Sequence, residues 1–297
     1  MPHHLAQLIT DFLKYLQFEK NKSSLTTKNY HFYLFRFINW ANISEPSQIT
    51  VEKVEGFRYY LSNLRNPNGE LMKTTTQNYH LIALRAFLEY LKKQKIESLL
   101  AEKVQLSKIG KRHINFLGES DLEKLLEAPL QTKDSGIIQK RDKAILELLF
   151  STGLKVSEVA SLRKDQIDFL KDDFYIRSGG KLRPIPLSNQ AKYWLKQYLD
   201  LRTDKVPALF IRHDKARKKQ FETIPNRDYE FTPRTIQRIV KKYTKSSGLD
   251  KNITPHTIRH SYATHLLNQG FDLESVRSAL GHSSITTTQV YKRLKSN

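Results

Sequence analysis

Apolar side chains recur at three- and four-residue intervals in four stretches near the start of the chain. In LAQLITDFLKYLQF (5–18), Leu5, Leu8, Ile9, Phe12, Leu13 and Leu16 fall on one face of a helix. Stretches 24–41, 50–64 and 73–94 repeat the pattern, each led by Ser or Thr whose oxygens can accept from the first free amides. RNPNGE at 65–70 supplies turn chemistry between the third and fourth. The pattern predicts a four-helix domain over residues 1–105, with most of the aromatics Tyr30, Phe32, Tyr33, Phe35 and Trp40 in its core.

A basic stretch, taken as a linker over 106–115, separates this domain from a second at 116–297. There ESDLEKLLEAP reads as a helix, and the long apolar pattern from Ser135 to Leu162 reads as two helices broken at Thr152-Gly153. DFYIRSGGKLRPIPL alternates around Gly179-Gly180 as a β-hairpin does, with Pro184 and Pro186 confining its second arm to an edge. PALFIR (207–212) is expected to add a strand. Thr232-Pro233 and Thr254-Pro255 each open a helix with a cap and a first-turn proline. Gly270 and Gly281 separate the short helices that follow. The fold class is therefore mainly α with a small antiparallel β-sheet, the second domain being mixed α/β.

Composition narrows the partners. There is no cysteine, which excludes disulfides, thiolate nucleophiles and cysteine-bound zinc. The first residues lack a signal-peptide pattern and no apolar run approaches about 18 residues, so a cytoplasmic setting without a membrane is expected. A formal charge of +20 points to a polyanion, with nucleic acid ahead of an anionic membrane surface.

Candidate chemistry gathers near the end. In PHTIRHSYATHLL, His256 and Arg259 stand three apart and would project from one face of a helix, where an anion would meet imidazole and guanidinium together. His256 and His260 are four apart, as in helical metal sites, but no Glu lies between them, so no metal is expected; His260 and His265 are read as packing or hydrogen-bonding residues. Neither a phosphate-binding P-loop nor a G-x-S-x-G elbow is present, and no cofactor is implied.

PHTIRHSYATHLLNQG followed by LGHSSITTTQVY closely resembles the C-terminal signature of the tyrosine recombinases, particularly Xer-like and phage-integrase members. RDKAILELLFSTGLKVSEVASL and TPRTIQRIVKKYTKSSGL resemble earlier motifs of the same family, in the same order. The resemblance spans the catalytic half and, more loosely, the N-terminal half, which is similar to the family's SAM-like core-binding domain. It implies a site-specific recombinase that cuts double-stranded DNA at specific recombination sites through a 3′-phosphotyrosyl intermediate. A homotetramer on two sites would exchange strands through a Holliday junction, in dimer resolution or in integration and excision. Tyr291 would be the nucleophile, His256 and Arg259 the His and Arg of the H-x-x-R box, and His282 the histidine of the LGH box. His256 would serve in acid–base transfer for the tyrosine hydroxyl.

The sequence departs from the family in three places. Where the first box normally reads T-G-L-R, this chain has Lys155, which keeps the charge but loses the planar fork that grips two oxygens. Weaker phosphate positioning, by about 1–3 kcal/mol, is the expected consequence. That substitution also raises an alternative: a catalytically impaired DNA-binding or architectural protein on the same fold. Glu158 is expected to orient this cation. In the hairpin, Lys181 aligns with the second of the family's two lysines and Ser178 with the first; Lys181 is the candidate proton donor to the leaving oxygen, alongside its plainer reading as a phosphate contact. Finally, only KRLKSN follows Tyr291, so subunit contacts through the C-terminus are expected to be abbreviated.

Overall fold

The periodic stretches of the N-terminal half become four helices, α1 (His4–Phe18), α2 (Ser24–Ala41), α3 (Val51–Asn63) and α4 (Thr74–Lys93). The computed structural model describes residues 4–110, 115–178, 181–213, 229–249, 252–282 and 284–292. Clustering of contacts divides the chain into two units, Met1–Arg112 and His113–Asn297, each with its own core. In the first unit, Leu5, Ile9 and Phe12 of α1 meet Leu34 and Phe37 of α2, Phe57 of α3 and Leu84 and Phe87 of α4. Burying such side chains is worth about 1.5–3 kcal/mol each, which holds a bundle whose individual helices would be marginal alone.

Caps follow the sequence at two of the three positions. Ser23 and Thr50 accept from the amides of Thr26 and Lys53 at 3.2 and 3.3 Å, whereas α4 begins at Lys73 without a side-chain cap. The aromatics also divide: Tyr30, Tyr33 and Phe35 pack against the core, but Phe32 and Trp40 remain exposed. Phe32 instead carries the Arg36 guanidinium 4.4 Å above its ring, and Trp40 stacks on Tyr60.

The second unit is built around α6 (Gly136–Thr152), which is buried on nearly every side and packed against α8 (Asn189–Leu199) and α10 (Pro255–Asn268). The buried charges of α6 are paired. Lys143 lies 2.7 Å from Glu127 and 2.8 Å from Glu147, while Asp142 is bound by Arg141 and accepts from the Tyr243 hydroxyl at 2.8 Å. α5 (Glu119–Glu127) and α9 (Pro233–Ser246) close the core. Thr232 and Thr254 cap α9 and α10 directly ahead of their prolines.

The hairpin forms as its alternation predicts: β1 (Asp173–Ser178) pairs antiparallel with β2 (Lys181–Pro186) in a two-stranded sheet. Phe174, Ile176 and Ile185 face the core; Tyr175 and Leu182 face out. Residues 207–212 do not extend the sheet, and make isolated pairings of Ala208 with Arg163 and Ile211 with Glu230. The reason is local. Arg202 draws the carbonyls of Ala208 and Leu209 onto its guanidinium at 2.7 and 2.9 Å, so they are not presented to a continuous ladder.

Candidate active site

The break after α6 begins the site. Gly153 caps α6 with φ of +57°, and the turn leads through Leu154 to α7 (Val156–Ala160), whose N-cap is Lys155. A Cβ on Gly153 would strike the ring of Tyr262 and reach 3.0 Å from Leu280 Cδ2. The site's backbone therefore needs glycine here both for its left-handed conformation and for its close approach to α10. Gly281, φ +65°, does the same at the end of α11 (Leu273–Leu280), where a Cβ would lie 2.8 Å from the Arg183 guanidinium carbon. Two glycine turns thus bring four separate stretches of chain together: the α6–α7 turn, α10, the end of α11 and the hairpin.

Arg259 ties these turns to one another. It is buried on α10, donating from one terminal nitrogen to the Gly153 carbonyl at 2.6 Å and from the other to the Leu280 carbonyl at 2.7 Å. Burial lowers its pKa from 12.5, and Glu158 is the foremost of the neighbours opposing that shift. Glu158 also accepts from the Lys155 amide at 2.8 Å and from Arg183 at 3.2 Å, with the Lys155 ammonium 4.0 Å away. Lys155 is otherwise nearly half exposed. Its flexible stem leaves it less fixed than a forked guanidinium would be.

His282 follows directly on Gly281. Its Nδ1 lies 2.9 Å from the hydroxyl of Thr288, which is fully buried on α12 (Thr286–Lys292). Burial, then the positive charges of Arg259 and Lys155, hold its pKa at about 4, well below 6.5. The ring is neutral at physiological pH.

Tyr291, on α12, is 1% exposed. It packs among Tyr262, Ala263, Leu267, Val276 and Leu280, and its ring lies parallel to that of His282, 6.5 Å apart. Its hydroxyl is 2.6 Å from Nδ1 of His260. The structure thus gathers Tyr291, Arg259, His282, Lys155 and Glu158 around one locus. His256 sits one helical turn before His260, exposed on the first turn of α10. Lys181 opens β2 opposite Ser178, and the side chains of both lie outside the described residues.

Two members of this cluster are absent from the sequence-based set. His260 hydrogen-bonds as expected, and its partner is the phenol oxygen of Tyr291. Arg183 links the hairpin to both glycine turns through Glu158 and through the Ala279 carbonyl at 2.6 Å. Its signal was available: strand alternation places it on the buried side with Ile185, where a cation needs partners. For His260 the sequence conceals only the partner, which lies 31 residues away.

Among the described residues, no group of three or more His, Asp or Glu is placed to hold a metal, and no helix is long and apolar enough to cross a membrane.

Comparison with known proteins gives one consistent result. Residues 115–297 match the model of the phage integrase family, and residues 9–95 match that of the phage integrase N-terminal SAM-like domain. Tyrosine recombinase XerC of Thermodesulfovibrio yellowstonii is 35% identical over 95% of this chain and 90% of its own. Tyrosine recombinase XerD of Lacticaseibacillus casei is 34% identical over 97% and 94%. Among solved structures, the XerH recombinase bound to difH substrate before cleavage superposes with a TM-score of 0.72 at 20% identity, covering 99% of this chain and 95% of that one. A lambda integrase dimer bound to a core site gives 0.70 at 17% identity, over 96% and 94%. These two structural likenesses establish the fold.

Proposed function

The chain belongs to the phage integrase family, and we propose that its site performs site-specific DNA strand transfer with Tyr291 as nucleophile. The observation that carries this assignment is the buried Tyr291 hydroxyl set beside the cations around His282. A phenol of ordinary pKa near 10 is a weak nucleophile at neutral pH, so the site must help remove its proton and neutralise charge on the phosphoryl oxygens. Arg259 spends two of its five N–H donors on backbone carbonyls. The others would grip a non-bridging oxygen from an already fixed frame, without reorganising as charge develops.

Neutral His282 would add a second donor. Where Nδ1 accepts from the Thr288 hydroxyl, the other ring nitrogen would carry the hydrogen toward the phosphate. Lys155 supplies the remaining charge where the resemblance to the family's T-G-L-R box implies arginine, and Glu158 restrains it. His256 would meet the phosphate from the helix start. Lys181 is assigned to protonate the departing 5′ oxygen, which completes the cleavage.

In that step the Tyr291 oxygen bonds to phosphorus as the P–O5′ bond breaks, leaving a 3′-phosphotyrosyl ester and a 5′ hydroxyl. Attack by a second 5′ hydroxyl reverses the chemistry without an external energy source. The relatives named tyrosine recombinase XerC and XerD support recombination. On this proposal a homotetramer joins two specific duplex sites in the cytoplasm and exchanges strands through a Holliday junction.

The test is covalent capture. A nicked duplex carrying a site selected by this protein from random DNA should yield a denaturation-resistant protein–DNA adduct, and Tyr291→Phe should yield none while still binding. Binding without any adduct would instead favour an architectural protein on the same fold.

A further inference from the structure

We infer that His260 takes the proton from Tyr291 during cleavage and returns it during rejoining. The inference rests on Tyr291 being the nucleophile and concerns how that nucleophile is activated. The phenol oxygen and His260 Nδ1 are 2.6 Å apart, within the range for direct proton transfer, and the two rings meet at 56° with centroids 5.4 Å apart. This contact lies in a pocket where Tyr291 is almost wholly shielded from solvent. A proton leaving the phenol there needs a basic atom already in place, because bulk water has little access. His256, on the exposed first turn, is four residues removed from that contact.

The surroundings suit the role. Arg259 lies next to His260 in sequence, and the positive fields of Arg259, Lys155 and Arg183 all reach His282. Glu158, neutral His282 and the buried Tyr262 phenol are further titratable groups on the elements packed here. Arginine and lysine favour the phenolate as it forms, since opposite charge stabilises it.

The step balances as follows. His260, neutral with its hydrogen on Nε2, accepts the phenol proton at Nδ1 while the Tyr291 oxygen bonds to phosphorus and the P–O5′ bond breaks. The leaving 5′ oxygen receives its proton from a separate donor, the role assigned to Lys181. On rejoining, the 5′ hydroxyl attacks phosphorus, and the imidazolium returns its proton to the departing phenol oxygen.

The experiment compares His260→Asn and His260→Ala with the full-length protein, using the nicked, selected duplex and a matching duplex with sulfur in place of the bridging 5′ oxygen. Asparagine places an amide oxygen near the position of Nδ1, so it can accept the phenol hydrogen bond without holding a proton. Both variants should form adduct about 100-fold or more slowly than the parent on the oxygen substrate, the usual weight of general acid–base catalysis. Sulfur leaves without needing a proton, so it should not restore either variant, and free imidazole should partly restore His260→Ala. Thermal melts and retained DNA binding establish folding; should His260→Ala not fold, His260→Asn decides the matter.

An Asn variant as fast as the parent would overturn the inference, showing that only a hydrogen bond is required. Rescue by sulfur would also overturn it, by assigning His260 to the leaving group. Failure of the parent protein to form any adduct would instead overturn the assignment of function, so the two failures are distinguishable.

Discussion

At the scale of single residues, the site is a set of charges whose protonation states its neighbours choose. His282 shows this most directly. Its pKa is near 4 in the folded protein and 6.5 ordinarily, so between those values the unfolded chain binds more protons than the folded one. Its contribution to stability is therefore complete above pH 6.5 and drains away as pH falls toward 4. Melting the parent protein and His282→Asn across that range should show the parent losing stability relative to the variant as pH drops. Lys155 makes a second case. Arginine there would add a planar fork beside Glu158, and Lys155→Arg should raise the rate of adduct formation about tenfold or more in single-turnover assays, equivalent to one charge-assisted contact. An equal or lower rate would show that the site is already adapted to lysine.

Elements matter here chiefly through the turns that end them. Gly153 and Gly281 carry positive φ, and each has a bulky neighbour where a Cβ would go. Gly153→Ala should cost about 1–2 kcal/mol from backbone conformation alone, and more from collision with the Tyr262 ring, as read by denaturant unfolding. Gly281→Ala meets the end of a flexible arginine instead, so it should be milder in stability while slowing adduct formation by displacing Arg183 from Glu158 and Ala279. Much of this scaffold was legible beforehand. Helical periodicity located α1 to α4, and Thr-Pro pairs marked the starts of α9 and α10, because those signals act locally. The missing strand at 207–212 was not legible, since it depends on Arg202 capturing two carbonyls from outside the segment. The hydrogen bonding expected of His260 is present, but its partner Tyr291 was not legible for the same physical reason, as it arrives from another helix.

At the scale of the whole molecule, the sequence's +20 charge and the site's cations act over different distances. The net charge governs encounter with a polyanion, whereas Arg259, held by two carbonyls, acts only at contact. Affinity for a selected duplex should consequently fall steeply with salt, by about 10³–10⁵ between about 50 and 200 mM if about 6–10 phosphates are engaged. Tyr291→Phe should leave that salt dependence unchanged while abolishing covalent capture, separating binding from chemistry in one protein. The most direct measurement of the central claim is mass spectrometry of the trapped, nuclease-trimmed adduct after proteolysis. A nucleotide esterified through its 3′ phosphate to Tyr291 is the predicted result; attachment to any other residue, or the absence of attachment at an occupied site, would contradict it.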